Sequence, residues 1–164
     1  MLFKAPDDLR TIIFPSMLRT VRNGAFREIK FLCKVVLNEG LEVLGTNELI
    51  PDGKRYPGVF EESGLRDVKL PSTLKSIGSG AFYYCEKLTE ITLPEGLETI
   101  GEEAFRNCTA LEKIALPATV ETIGNSAFMD CTGLKTVELP EGLKGIGNYG
   151  FYGCAALTAV RLPD

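Results

Sequence analysis

The chain has 164 residues, of which 45% are apolar and 24% are charged, and its net charge is −4. These proportions are typical of a folded globular protein and exclude a disordered chain. The acidic balance argues against nucleic acid as a partner, because binding to backbone phosphates requires a basic surface. Histidine is absent, which removes the commonest general base and the commonest metal ligand and favours a protein that is not an enzyme.

The N-terminal segment does not have the pattern of a signal peptide. It lacks an apolar core of about 7–15 residues and carries two early acids, Asp7 and Asp8. No stretch of the chain approaches the roughly 18 uncharged apolar residues that a membrane helix needs. The sequence therefore predicts neither a signal peptide nor a membrane span in this chain.

A motif recurs every 23 residues along the chain. The Leu-Pro dipeptides of the motif begin at Leu70, Leu93, Leu116, Leu139 and Leu162. The phenylalanines and cysteines of the motif have the same spacing, at Phe82, Phe105, Phe128 and Phe151 and at Cys85, Cys108, Cys131 and Cys154. A fixed period of this length is the signature of a repeat architecture.

The repeat continues toward the N-terminus in a less regular form. Phe14-Pro15 replaces Leu-Pro, and Leu37 follows Phe14 after 23 residues. Leu37 and Leu70 are 33 residues apart, so ten extra residues lie in an insertion at 46–58. We expect residues 1–164 to form a single array of about six repeats, truncated within a repeat at both ends. Uncapped ends of this kind expose apolar core, so we also expect self-association through them or a dependence on flanking sequence.

Each repeat begins with a short strand. In 88–93 the residues Ile91 and Leu93 alternate with Glu90 and Thr92, which predicts a half-buried strand. The proline that follows has no N–H group and ends the strand.

The rest of the repeat predicts a second extended segment and a turn. Leu97-x-x-Ile100 is typical of a short extended segment, and Gly101 of a left-handed or tight turn. The spacing of Ala104-Phe105-x-x-Cys108 predicts a single helical or 3₁₀ turn, with the Phe and Cys side chains directed inward. One repeat cannot bury its own apolar face, so the repeats must stack.

The motif Cys-x-x-Leu-x-x-Ile-x-Leu-Pro-x-x-Leu-x-x-Ile-Gly-x-x-Ala-Phe resembles the BspA-like leucine-rich repeats over nearly the whole chain. It departs from the commonest leucine-rich consensus at Gly96, where Asn or Cys would be expected. The resemblance implies an α/β repeat fold, a right-handed solenoid with a parallel β-sheet of short strands. It also implies a cell-surface or secreted protein that acts in adhesion and protein binding, and it implies no catalytic residues.

The cysteines suggest packing and not chemistry. One repeat cysteine per coil predicts free, buried thiols, and no Cys-x-x-Cys pair is present to hold a metal. Cys33 aligns with polar residues of other repeats, so we expect it to be exposed. The Gly145–Gly150 segment matches a dinucleotide-binding fingerprint, but Gly147 is the repeat glycine and Gly150 replaces the repeat alanine. No long strand precedes the segment and no long helix follows it. No cofactor is predicted.

Exposed strand positions predict a broad sheet face of mixed charge, with the candidate binding residues Lys69, Glu90, Lys113, Glu138 and Arg161. Solenoids commonly present such a face to partners. The alternative is a solvated face of balanced charge that binds nothing.

Surface tyrosines and the insertion are further candidates. Tyr83 and Tyr152 follow repeat phenylalanines at variable positions, and Arg55-Tyr56 lies at the tip of the insertion. Tyrosine is a common binding anchor, although these residues could merely shield a turn or reflect drift in a loop. The sequence therefore predicts a non-catalytic module of a cell-surface adhesin that binds a protein or a glycan through its sheet face. The alternative is a structural spacer with no ligand of its own.

Overall fold

The computed structural model describes residues 9–48, 50–51 and 53–161, which form a stack of coils. A typical coil contains a three-residue strand, a two-residue strand and a chain of turns, and the coil with residues 90–92 lacks the three-residue strand. The three-residue strands are β1 (Thr11–Ile13), β3 (Lys34–Val36), β5 (Asp67–Lys69), β8 (Lys113–Ala115), β10 (Thr136–Glu138) and β12 (Ala159–Arg161). The two-residue strands are β2 (Thr20–Val21), β4 (Val43–Leu44), β6 (Ser76–Ile77), β7 (Thr99–Ile100), β9 (Thr122–Ile123) and β11 (Gly145–Ile146).

Strands of successive coils pair in parallel, as the family resemblance implied. The two-residue strands form one continuous six-stranded sheet in the order β2-β4-β6-β7-β9-β11. The three-residue strands form two three-stranded sheets, β1-β3-β5 and β8-β10-β12. The strand predicted for 88–93 is wrong, because residues 90–92 between the two sheets form no strand although Ile91 points inward. The molecule is therefore a parallel-strand β-solenoid. The sheet of two-residue strands is continuous along it, whereas the three-residue strands are interrupted once.

Alternation along the three-residue strands decides which side chains enter the core. The central residue points inward, so Val35 is 0% exposed and Val137 is 1% exposed, whereas Lys34 and Glu138 beside them are exposed. This is the period-two pattern that the sequence predicted.

The third side of each coil is a chain of turns, and the predicted helical or 3₁₀ turn is not confirmed. Within the described ranges there is no helix, and none that could cross a membrane. The Phe105 N–H donates to the Ala127 carbonyl of the next coil at 2.8 Å, whereas the Arg106 N–H donates to Glu103 within its own coil at 3.1 Å. Glu103 and Asn107 are left-handed, with φ of 54° and 59°. A helix would keep every N–H inside the coil, and this turn instead directs alternate N–H groups along the stack.

Gly101 has a different role from the predicted left-handed turn, because its φ is not positive. A Cβ atom at Gly101 would lie 2.7 Å from the backbone nitrogen of Ser79 in the preceding coil. The side chain is therefore excluded by the close approach of two coils.

Aromatic rings fill the centre of the stack beside the turns. Phe60, Phe82, Phe105 and Phe128 are fully buried. Successive rings from Phe60 to Phe128 are stacked, with centroids 5.2–5.7 Å apart. Because each ring contacts the next, the apolar core of one coil is completed by its neighbours.

The repeat cysteines form a second line along the core, and all of them are free thiols. The Cys108 Sγ donates to the Phe82 carbonyl at 3.2 Å, and the Cys131 Sγ donates to the Phe105 carbonyl at 3.0 Å. Burial raises the pKa of the Cys85 thiol to about 12. Cys33 lies outside this line and is partly buried, not fully exposed as its alignment suggested.

Candidate functional site

The flanking residues of strands β3, β5, β8, β10 and β12, with Glu90 and Thr92 between β5 and β8, form the surface that we call the sheet face. Its members are Lys34, Val36, Asp67, Lys69, Glu90, Thr92, Lys113, Ala115, Thr136, Glu138, Ala159 and Arg161, and all except Val36 are exposed. Five of the predicted binding residues lie here: Lys69, Glu90, Lys113, Glu138 and Arg161. The 23-residue period and the parallel register bring these distant residues onto a common surface.

Charges on the sheet face pair between neighbouring coils. The Lys113 Nζ lies 3.8 Å from a Glu90 carboxylate oxygen, and the Arg161 guanidinium lies 3.2 Å from Glu138. All four side chains are more than 60% exposed. Exposed ion pairs of this kind contribute at most about 1 kcal/mol each to the stability of the fold. A charged ligand group could therefore replace either partner with little loss of stability.

Two shallow clefts open on the sheet face, on either side of residues 90–94. One has a volume of about 440 Å³, and its lining includes Glu90, Lys113 and Glu138. The other has a volume of about 550 Å³, and its lining includes Lys69 and Thr92. Both volumes fall in the range of roughly 300–1,000 Å³ that is usual for ligand sites.

Arg55 of the insertion lies on the turn side of the coils, away from the sheet face. Its Nε donates to a Glu103 carboxylate oxygen at 2.6 Å, and its Nη1 lies 2.7 Å from a Glu61 carboxylate oxygen. Its guanidinium carbon lies 4.5 Å from the centroid of the Tyr83 ring. The Arg55 side chain is only 14% exposed, so the predicted tip of the insertion is instead docked on the protein. We call residues 53–58 the strap.

Small residues beneath the strap make room for it. Gly80 has a φ of +61°, and a Cβ atom there would lie 2.5 Å from the Arg55 Nη1. The residue two positions before the core phenylalanine is glycine in three coils, at Gly24, Gly58 and Gly80, and is larger in the next three, at Glu103, Ser126 and Tyr149. This change along the repeats is the sequence signal that could have predicted a docked segment.

The two carboxylates that hold Arg55 were not among the predicted site residues. Glu61 is 6% exposed and also accepts the Gly58 N–H at 2.8 Å. Burial opposes the charge on Arg55, but its hydrogen bonds to Glu103 and Glu61 outweigh this effect and raise its pKa. Burial likewise opposes the charge on Glu103, but its hydrogen bonds to Arg55 and Arg106 lower its pKa. The strap is therefore fixed by a partly buried network of charges.

The tyrosines differ in exposure. The Tyr83 ring lies near two guanidinium groups, Arg55 at 4.5 Å and Arg106 at 5.9 Å. Tyr56 is 38% exposed, and Tyr152 is 61% exposed and packs edge-to-face on Tyr149 with centroids 5.8 Å apart. The predicted binding residues thus fall on two sides of the solenoid, and a binding role for each of them stays a prediction.

The chemistry available at these surfaces is that of reversible contact. Among the described residues, no group of three or more Cys, Asp or Glu side chains could hold a metal ion. Burial raises the pKa of the Cys85, Cys108 and Cys131 thiols, so at neutral pH they are protonated and poor nucleophiles.

Comparison with known families gives one match. The model of the BspA type leucine rich repeat region matches six copies, over residues 1–49 and 55–164. Residues 50–54, which it leaves out, lie inside the insertion at 46–58 that the repeat spacing predicted. Comparison with curated proteins found no significant match.

Solved structures share the fold. A leucine rich repeat protein of T. pallidum is 29% identical, with a TM-score of 0.84 over 94% of this chain and 70% of its own. A leucine rich cell surface protein of Faecalibacterium prausnitzii is 19% identical, with a TM-score of 0.61 over 96% of this chain and 34% of its own. The pneumococcal vaccine antigen PcpA is 23% identical, with a TM-score of 0.59 over 79% of this chain and 30% of its own. Because the family model covers nearly every residue, the chain belongs to the BspA-type leucine-rich repeat family.

Proposed function

We propose that this chain is a non-catalytic binding module of a cell-surface or secreted protein, and that its sheet face engages a protein or glycan ligand. The observation that carries the proposal is the sheet face itself, where exposed charged and small side chains recur on a backbone fixed by parallel pairing. Two clefts of about 440 and 550 Å³ make that surface concave in places, where part of a ligand could fit. One solved neighbour is described as a cell surface protein and another as a vaccine antigen, which supports the location.

The absence of catalysis in this proposal follows from the shape and charge of the surface. Catalysis needs reacting groups held together where water is excluded. The carboxylates of the sheet face instead lie on an open surface and pair with cations of neighbouring coils, as Glu90 does with Lys113.

A structural spacer is the second candidate, and the ion pairs favour it. Lys34 with Asp67, Lys113 with Glu90 and Arg161 with Glu138 neutralise one another across the sheet face. A face that satisfies its own charges could serve only to hold another module at a distance.

Reversal of charge on the sheet face distinguishes the two candidates. The test variant is Lys69→Glu, Lys113→Glu and Arg161→Glu in one chain. The control is Lys75→Glu, Lys87→Glu and Lys144→Glu, which makes the same change in net charge with exposed residues outside the sheet face. Both are measured with the wild type against immobilised extracellular-matrix proteins and a glycan array.

If the chain is a binding module, we expect the sheet-face variant to lose at least about tenfold in affinity. Charges at an interface raise the association rate and match the charges of the partner, and their reversal removes both effects. The control variant should bind as the wild type does. The proposed module is contradicted, and a spacer supported, if the wild type binds nothing in either panel. Unchanged binding by the sheet-face variant has the same meaning.

A further inference from the structure

The ladder of three-residue strands is interrupted in the middle of the solenoid. Strands β5 and β8 belong to separate sheets, and residues 90–92 of the intervening coil form no strand. The sequence of this coil gives no reason for the break, since Ile91 occupies the inward position and is 6% exposed, as a strand residue would be.

Backbone hydrogen bonds are missing on both sides of the break. The Asp67 N–H and the Lys69 carbonyl bond to the preceding coil, at 3.1 and 2.9 Å. By the alternation of a parallel ladder, the Val68 N–H and carbonyl therefore point toward residues 90–92. Residues 90–93 make no backbone hydrogen bond with either neighbouring coil. The nearest backbone hydrogen bond between coils is just before them, where the Glu112 N–H donates to the Thr89 carbonyl at 3.2 Å.

The other two sides of the same coils are closed. The two-residue strands pair without interruption from β6 through β7 to β9. On the turn side the Phe82 N–H donates to the Ala104 carbonyl and the Phe105 N–H to the Ala127 carbonyl, both at 2.8 Å.

The strap reinforces the closed turn side across these coils. When each coil is counted from two residues before its core phenylalanine, Arg55 bonds Glu61 in the coil that contains β5 and Glu103 in the coil that contains β8. Its guanidinium covers Tyr83 in the coil between them. The three coils that lack pairing on the sheet face are thus the three that the strap joins on the turn side.

A shorter corner lies next to the break. Leu65 follows Phe60 by five positions in the coil that contains β5, whereas Leu88 follows Phe82 by six positions in the next coil. Corner length does not by itself set the pairing, because Leu32 follows Phe26 by six positions and β3 nevertheless pairs with β5.

We propose that residues 90–93 are a hinge on the sheet face, at which the two halves of the solenoid open and close while the strapped turn side stays fixed. This motion would change the width of the clefts on both sides of Thr92. The proposal does not depend on the identity of a ligand, and it holds for a spacer as well as for a binding module.

Amide hydrogen exchange of the full chain, resolved by residue and corrected for intrinsic rates, tests the hinge. Ile91 and Thr92 are compared with Val137 and Glu138, which occupy the same repeat positions in the paired strand β10. We expect Ile91 and Thr92 to exchange at least about tenfold faster, because opening at the break requires no ladder bonds to be lost. Equal protection at the two sites would overturn the proposal.

Arg55→Ala tests the fixed side. Loss of the strap should speed exchange of the Phe82 and Phe105 amides by at least about fivefold, whereas the Phe128 amide, outside the strap, should not change. If exchange of all three amides stays unchanged, or rises equally, the strap is not the fixed edge of a hinge. Arg55→Lys keeps the charge but not the two-pronged contact, and it replaces Arg55→Ala in the same comparison if the alanine variant does not fold.

Discussion

At the scale of single residues, the repeat cysteines show what a periodic pattern can and cannot predict. Their recurrence predicted buried, free thiols, and Cys85, Cys108 and Cys131 are 0% exposed, whereas Cys154 is only partly buried. The hydrogen bond from each thiol to a phenylalanine carbonyl one coil earlier was not predicted. The partners are 25 or 26 residues apart in sequence, and they meet only because the coils stack.

Thiol labelling follows from this burial. With a coloured thiol reagent at pH 8, we expect the partly buried Cys33 to react well before Cys85, Cys108 and Cys131. Burial holds the pKa of Cys85 near 12 and raises the other two, so the reactive thiolate is scarce at that pH. In denaturant all five cysteines should react at similar rates. Labelling of Cys85 as fast as Cys33 in the native chain would contradict the buried cysteine line.

At the scale of elements, local patterns predicted strands better than turns. The alternation seen in 88–93 is followed by strands at equivalent positions of other repeats, such as Thr136–Glu138, but not in 88–93 itself. Alternation predicts which side chains point inward, because side-chain direction depends on neighbouring residues. The helical turn was not confirmed, because the spacing of Phe105 and Cys108 suits both a helical turn and a tight turn. The left-handed residues Glu103 and Asn107 that decide between them are not glycines. The break in period predicted an insertion, but not the docking of its Arg55, which depends on the distant Glu61 and Glu103.

The strap should weaken in acid, and Glu103→Gln measures its contribution. Bonds to Arg55 and Arg106 lower the pKa of Glu103 in the folded chain. Its stabilising effect is therefore fully present above the unfolded pKa of about 4.3 and is lost as the pH falls through the lower folded value. By urea unfolding at pH 7, we expect the variant to be about 1–2 kcal/mol less stable than the wild type.

The difference between Glu103→Gln and the wild type should shrink steadily as the pH is lowered below about 4. The control is Glu86→Gln, an exposed glutamate in the same turn side, which should leave stability unchanged across the series. A difference for Glu103→Gln that is absent at pH 7, or that persists undiminished at the lowest pH, would contradict the ionic strap.

At the scale of the whole molecule, the period alone predicted the stacked array and the alignment of distant residues on one face. The sequence did not predict the break at residues 90–92, because this segment alternates as regularly as those that pair. Pairing depends on how two neighbouring coils approach each other in the stack, which the pattern of a single repeat does not contain. Stacking makes each coil depend on its neighbours for a complete core.

The central claim is that successive coils advance by one strand spacing along a single axis. Residues Arg19, Glu42, Lys75, Glu98, Glu121 and Lys144 form a column in which each residue donates its N–H to the carbonyl of the one before. Spin labels introduced at Arg19 and Glu98 span three such steps, and labels at Arg19 and Lys144 span five. At about 4.8 Å per step, pulsed electron resonance should give a second distance about 10 Å longer than the first. Equal distances for the two pairs, or a shorter second distance, would contradict the stacked solenoid.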